Sequence, residues 1–516
     1  MKHWMIAALA ATTLAAASDA LAQSGTMRVR LNSDVRSTDP GTNRDENTDA
    51  VVQHMIEGLV AFKEDATVGP MLAEKIAVSE DGMTYTFTLR DGITFHNGAR
   101  LTADDVAWAW KRYTTPETKW RCAPDFDGRG LMKVTGVEVK DKRTVVFTLA
   151  KPSALFLTVM ARVDCGSAGI YHRDSVGADG KWIAPIGTGP FKLVEWKRGE
   201  HVDLVRNPTY AALPGERDGY TGNKKPLIEK LRFVVIPDSA AAKAALLSGS
   251  IDLIPDTSNA DAEELKKRPE AVLHETQTMG MNGILFQTRD PVVGDARLRK
   301  AILASLDMAE IVKAITEGRA KPNASPIPNA SPYYSAAHKA VPKQDLALVK
   351  KLLGEAGYKG QQIKIVATKR YPTSFDTAVL VQAMMQAAGI NAEIEVLDWA
   401  TMLDKYSKGN YQMMSFLYSA RLDPALSFEM FSGPKATQPR KVWDDPEAST
   451  MIQEALAVGD RAKRQAIFDA LYAKFQADRP MIVLYNGIDS SVTRKQVKGY
   501  TSFVIGVPRL WGVSVE

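Results

Sequence analysis

The chain has 516 residues, 24% of them charged, and its 65 lysines and arginines against 60 aspartates and glutamates give a net charge of only +5. A chain of this length outgrows one hydrophobic core and is expected to divide into two or three domains. So even a charge balance gives no case for a nucleic-acid partner, which would need a clustered basic face.

The first segment reads as a secretory signal peptide over residues 1–22. Lys2 and His3 are polar, residues 4–17 are mostly apolar, and Ala20-Leu21-Ala22 offers a small-x-small cleavage site before Gln23. The apolar run is shorter than the roughly 20 residues a membrane-spanning helix needs, and no cysteine follows the site for lipid attachment. The expected product is a soluble exported protein, most simply periplasmic. In such an oxidising compartment Cys122 and Cys165 can form a disulfide, which would contribute roughly 2–4 kcal/mol; the alternative is two buried thiols.

The first strongly patterned stretch is residues 85–106, YTFTLRDGITFHNGARLTADDV. Tyr85, Phe87 and Leu89 alternate with Thr84, Thr86 and Thr88, which predicts a strand with one apolar and one hydroxyl face. Asp91-Gly92 ends it, and Asn97-Gly98 supplies a second turn, since asparagine and glycine tolerate positive φ. Thr102 stands at a helix N-cap position with Asp105 three residues on, a capping-box pattern. Val106, Ala109, Trp110 and Tyr113 fall on one face of the helix that follows.

Residues 191–196 and 201–206 read as a hairpin around Arg198-Gly199. Residues 231–236 form an apolar strand, Asp238 caps an alanine-rich helix that stops at Gly249, and 251–254 is another strand, a βαβ order. Leu298, Ala301, Ile302, Ser305 and Leu306 trace one helical face, and Asp307 with Glu310 caps a second helix ending near Gly318. The stretch 325–342 holds four prolines and is predicted as loop. Beyond it, 363–367, 377–388 with Gly389 as the stop, and 393–397 give strand, helix, strand. Residues 412–417 are one more strand, and the last long helix, 462–476, precedes a short apolar strand at 481–485.

In its order of aromatic-x-Phe-x-Leu-Arg, Phe-His-Asn-Gly and Thr-Ala-x-Asp-Val, the stretch 85–106 resembles the signature of the family 5 solute-binding proteins of ABC importers, the dipeptide, oligopeptide and nickel-binding group. Further strings in family order, GTGPF with RNPTY, LLSGSIDLI, DARLRKAILASLDMAEIV and LLGEAGY, extend the resemblance over nearly the whole mature chain. The resemblance implies an α/β cleft fold of the periplasmic-binding-protein type II, cluster C: two α/β lobes joined by a hinge, plus an inserted third domain. By that analogy domain I is discontinuous, at 26–58, 187–277 and 487–516. Domain II is an inserted α+β domain at 59–186, and domain III is 278–486. The implied function is capture of a peptide or peptide-like ligand between two lobes and its delivery to an ABC permease and ATPase complex in the inner membrane. A monomer without a cofactor would do this. Alternatives from other classes are an exported hydrolase of peptides or conjugates, and a receptor that presents its ligand to a chemosensor.

Enzyme motifs are missing. The chain has no Gly-x-Ser-x-Gly elbow, no His-Glu-x-x-His, no P-loop and no Cys-x-x-Cys, and its histidines show no metal-ligand spacing. His54 and Glu57 lie three apart on a predicted helix, a pairing more often structural than metal-binding. His96 belongs to a turn motif and reads as structural.

Ligands of open α/β sheets sit beyond the carboxyl ends of strands, which makes 418–424, Tyr-Ser-Ala-Arg-Leu-Asp-Pro, the best candidate. Peptide-binding members of the resembled family place an aspartate shortly after the aromatic residue, where it pairs with the ligand's α-ammonium group. Here Arg421 occupies that stretch, and Asp423 resembles the later, structural aspartate. A planar, permanently charged guanidinium suits carboxylate or phosphate. Arg421 is therefore expected either to anchor an anionic group of the ligand or to pair with an acidic side chain such as Asp423 and shape the loop. Tyr418 and Trp399 are candidates for flat ligand walls, Trp399 equally for core. Asn282, in the predicted hinge string Met279-Gly280-Met281-Asn282, is a candidate for a ligand hydrogen bond or a strand cap. Trp120, beside Cys122, is a candidate contact from domain II, with a surface role as the alternative.

Overall fold

The computed structural model describes residues 25–42, 46–369 and 371–516. The signal segment 1–22 lies outside the described residues, and no described helix is long and apolar enough to cross a membrane. The described residues fall into two compact units: the first runs to Thr276 and resumes at Asp489–Glu516, and the second is Gln277–Ile488. Two strands, Ala271–Phe286 and Met481–Arg494, begin in one unit and end in the other.

In the first unit, Thr26–Leu31 pairs in parallel with Lys230–Val235 on one side and with Leu253 on the other. Met27, Val29 and Leu31 share one pleat face and are fully buried, as the period of two requires. Lys230–Val235 continues antiparallel into His201–Arg206, whose hairpin partner is Phe191–Lys197. The helix Ser239–Ser248 starts where the Asp238 carboxylate accepts the Ala241 N–H at 2.7 Å. It stops at Gly249, whose φ of +82° is the left-handed C-cap conformation that glycine adopts without strain.

The same unit carries a four-stranded antiparallel sheet in the order Ala73–Val78, Thr84–Leu89, Thr144–Leu149, Val134–Val139. Tyr85, Phe87 and Leu89 bury one face of it, against the helix Ala103–Thr114 through Val106, Ala109, Trp110 and Tyr113. At that helix start the Asp105 carboxylate accepts both the N–H of Thr102, at 2.9 Å, and its hydroxyl, at 2.8 Å. Cys122 and Cys165 are joined in a disulfide, their Cα atoms 5.6 Å apart.

His54 shows how tightly this unit is specified. The helix ahead of it, Glu46–Val52, ends two residues earlier, and the ring is fully buried. Its Nδ1 lies 2.7 Å from the Ala50 carbonyl and its Nε2 lies 3.2 Å from the Leu510 amide. A carbonyl only accepts and an amide N–H only donates, so the ring is the neutral tautomer protonated on Nδ1. Burial pushes its pKa down from 6.5 to about 3. Between those two values the unfolded chain binds a proton that the folded chain refuses, so His54 lowers stability as the pH falls from 6.5 toward 3. An NMR titration is expected to show this ring neutral down to about pH 4; a midpoint near its unperturbed value would contradict the assignment.

In the second unit, Ile363–Ala367 lies between Ala392–Val396 and Met413–Tyr418, all three parallel. Ala271–Phe286 runs antiparallel beside Met413–Tyr418, with Met281 opposite Tyr418 and Asn282 opposite Leu417. Helices cover both sheet faces. Ala296–Ala304, Met308–Thr316, Leu346–Glu355 and Pro372–Ala387 pack on Ile363, Ile365 and Ala367. Trp399–Lys408, Pro424–Phe431, Pro446–Ala457 and Arg461–Asp478 pack on Val366, Met414 and Phe416. Met413–Tyr418, buried on both faces, accordingly reads as a nearly continuous apolar run.

Two boundaries differ by more than two residues from the sequence reading. The helix expected from residue 377 begins at Pro372, a first-turn position where proline's missing N–H costs nothing. The strand expected to be short, 481–485, extends to Arg494. Asn486-Gly487 reads as a turn, yet Asn486 is fully buried and ties the Gly280 carbonyl (2.9 Å) to the Asn323 side chain (2.9 Å). Beyond it, Val492 and Thr493 pair with Ile254 and Leu253. Pairing to distant segments overrides the local turn signal.

Candidate ligand site

The three parallel strands of the second unit end at Ala367, Val396 and Tyr418, and the loops beyond carry Trp399 and Arg421. Asp398 caps the helix Trp399–Lys408 by accepting the Thr401 N–H at 3.0 Å, which fixes Trp399 as its first residue. The half-buried Trp399 ring stacks on Phe416 at 6.1 Å and meets Tyr371 edge-on at 4.9 Å. Lys369, at the end of Ile363–Ala367, lies over the Phe375 ring at 5.0 Å.

Arg421 is part-exposed and donates to the Ala420 carbonyl at 2.9 Å and toward the Ser419 hydroxyl at 3.5 Å. Its expected partner Asp423 is committed elsewhere. That carboxylate is 5% exposed, caps the helix Pro424–Phe431 through the Ala425 N–H at 2.9 Å, and pairs with Arg464 at 2.8 Å. The Asp423–Arg464 pair thus holds the loop's base while Arg421 stays at its rim.

Two of the sequence candidates are core residues, and a third faces away from Tyr418. Tyr418 is 7% exposed, with its hydroxyl 3.3 Å from that of Tyr406 and its ring against Phe416, so the ring belongs to the core of the second unit. Trp120 is 3% exposed: its ring stacks on Phe126 and tilts against Tyr113, and its N–H donates to the Cys165 carbonyl at 2.9 Å. It is core beside the disulfide, not a surface or cleft residue. Asn282 is half-buried and, one residue out of phase with Met281, points to the other sheet face from Tyr418. Side-chain alternation separates two candidates that adjacency in sequence suggested would act together.

The first unit builds its own polar strand end. Arg30, 5% exposed, bonds the carbonyls of Ile236 and Pro237 at 2.9 and 3.1 Å and the Asp256 carboxylate at 2.9 Å. Asn32 donates to the other Asp256 oxygen at 2.6 Å and accepts from Asn47 at 2.8 Å. These residues lie at the carboxyl ends of Thr26–Leu31, Lys230–Val235 and Leu253–Ile254, where ligands of such sheets bind. Asp489 joins them from Met481–Arg494, next to Ser490, whose carbonyl accepts the Thr257 N–H at 2.8 Å. Burial, and then the negative fields of Glu46 and Asp256, push the Asp489 carboxyl up to about 7. This end is therefore acidic, while the second unit's end carries Arg421 and Lys369.

The model of the bacterial extracellular solute-binding proteins, family 5 middle, matches residues 67–438. The chain belongs to family 5 of the bacterial extracellular solute-binding proteins. Heme-binding protein A of Haemophilus influenzae is 25% identical over 506 residues, 90% of this chain and 87% of that relative. The dipeptide-binding protein of Escherichia coli is 27% identical over 483 residues, 89% of this chain and 88% of that one. Among solved structures, HbpA2 from Haemophilus parasuis superposes with a TM-score of 0.83 at 25% identity, over 95% of this chain and all of the other. The family 5 protein accordingly has the type II periplasmic-binding-protein fold.

Family 5 consists of binding proteins. In this family 5 protein the sequence reading missed Arg30, Asp256 and Asp489. Asp489 lies two residues past Asn486-Gly487, where the chain was expected to leave its strand. Residues 488–494, Ile-Asp-Ser-Ser-Val-Thr-Arg, carry no apolar-polar alternation that could have found it.

Proposed function

We propose that the chain is the periplasmic receptor of an ABC importer, which captures a peptide or peptide-like solute between two lobes and hands it to a membrane permease with its ATPase. The family 5 match over residues 67–438 carries this reading, and the dipeptide-binding relative supports the ligand class. Arg421 would receive a carboxylate or similar anionic group, Trp399 would offer a flat wall, and Asn282 a hydrogen bond. Asp489 and its acidic neighbours would receive a cationic group such as an ammonium. A ligand of both charges, as in a short peptide or an amino-acid conjugate, fits that assignment. Capture works as a switch only if the solute binds the closed arrangement better than the open one, because equal affinity shifts no population.

Native mass spectrometry of the purified protein is the way to identify a retained solute. With that solute in hand, Arg421→Ala is expected to weaken binding by roughly tenfold to a hundredfold, the range of a hydrogen bond to a charged group. Unchanged affinity would remove the anion anchor and leave Arg421 as a loop-shaping residue.

A further inference from the structure

The second unit contains a cavity of about 650 Å³ at the end of its sheet away from the candidate ligand site. Its lining includes Lys364 near the start of Ile363–Ala367, Gln412 just before Met413–Tyr418, and Gln287 just after Ala271–Phe286, which places it at the amino ends of the parallel strands. Five cationic side chains line it, Arg289, Lys364, Lys405, Lys408 and Lys435, against the carboxylates of Asp290 and Glu395. Three of the cations are already paired: Lys405 with Glu395 at 2.8 Å, Lys408 with Asp404 at 2.8 Å, and Arg289 with Asp444.

Of the other two, Lys364 is exposed and Lys435 is buried. Among the described residues three lysines are buried, Lys224, Lys435 and Lys441. Lys224 holds Glu57 at 2.9 Å and Lys441 holds Glu429 at 2.7 Å. Lys435, 4% exposed, has the neutral Gln287 amide oxygen as its partner and no carboxylate among the described residues. Burial, and then the field of Arg289, push its pKa down to about 8. In the same wall stands Tyr411, 8% exposed, whose hydroxyl has no hydrogen-bond partner. A buried ammonium with no carboxylate at ion-pair distance, only the more distant field of Asp444, and a buried hydroxyl without a partner each carry a desolvation cost that is incompletely compensated. One anionic acceptor would relieve both. Lysine ammonium groups are compact point charges suited to phosphate or carboxylate oxygens, and the volume suits a small organic molecule.

We propose that this cavity is a second binding site, separate from the transported solute, for a small oxyanion whose phosphate or carboxylate oxygens accept from Lys435 Nζ and the Tyr411 hydroxyl. It depends on nothing assigned to Arg421 or Asp489.

The test is calorimetric titration of the full protein with inorganic phosphate and, separately, with citrate, at an ionic strength fixed with sodium chloride. Saturable one-to-one binding of either probe is expected, and the preferred probe identifies the oxyanion. Lys435→Met is expected to weaken that binding roughly tenfold or more. Tyr411→Phe, which keeps the ring packing, is expected to weaken it by a smaller factor and still reports on the site if Lys435→Met does not fold. The proposal is overturned if neither probe binds saturably, or if binding is the same in both variants, since the anion would then sit elsewhere.

Discussion

Glu57→Ala is expected to destabilise the first unit by about 3–5 kcal/mol, the cost of leaving a buried charge without its partner. Glu57 is 3% exposed and accepts from Lys224 Nζ and the Tyr210 hydroxyl, both at 2.9 Å, and from the Thr188 hydroxyl at 3.0 Å. Lys224 is 2% exposed, and its ammonium also lies 4.3 Å from the centre of the Trp511 ring. Alanine would strand that ammonium and two hydroxyl donors together. Lys224→Met should cost less, because Glu57 would retain its hydroxyl donors and the methionine would still fill the space against Trp511. The comparison is read as the shift in urea midpoint at unchanged slope. A loss below about 1 kcal/mol for Glu57→Ala, the size of an exposed pair, would contradict the buried-network account.

The second large effect is expected at Arg464. Its guanidinium donates to Asp423 at 2.8 Å, to the Ala455 carbonyl at 2.9 Å and to the Tyr333 hydroxyl at 3.1 Å. It therefore joins the loop after Met413–Tyr418, the end of Pro446–Ala457 and the proline-rich 325–342 segment. Arg464→Met leaves the Asp423 carboxylate buried with only the Ala425 N–H, and a loss of about 3–5 kcal/mol is expected. Asp423 sits two residues from Arg421, so solute affinity should fall with stability. Adding Asp423→Asn to Arg464→Met removes the stranded charge while keeping a cap oxygen for the helix, and should restore part of the stability. No restoration would mean that packing lost with the arginine stem, not the stranded charge, carries the effect.

Much of this was legible in the chain because the signals were local. The stretch 85–106 specifies a strand, two turns and a capped helix through alternation, glycines and Thr102 with Asp105, all within hydrogen-bonding reach of one another. Helix stops at Gly249 and Gly389 are likewise single-residue events, both in the left-handed conformation. What depended on partners far along the chain was not legible. Asp423 is claimed by Arg464, forty-one residues on, rather than by Arg421, which was one of the two readings of the 418–424 loop. Trp120 was a candidate ligand contact or surface residue, but Trp110, Tyr113 and Phe126 enclose it. His54 and Glu57, three apart in sequence, turn to different partners once the helix has ended at Val52. At the strand ends the sequence pointed to Arg421 and Trp399, but the acidic set around Asp489 lay hidden behind an asparagine-glycine pair that reads as a turn.

The claim that this chain is a solute receptor is tested most directly by titrating the mature protein calorimetrically with the solute it retains, then releasing the bound molecule and weighing it. The account predicts saturation at one solute per protein and recovery of that solute with its mass unchanged. Continued heat without saturation, with the solute recovered as fragments, would contradict it and indicate a hydrolase instead.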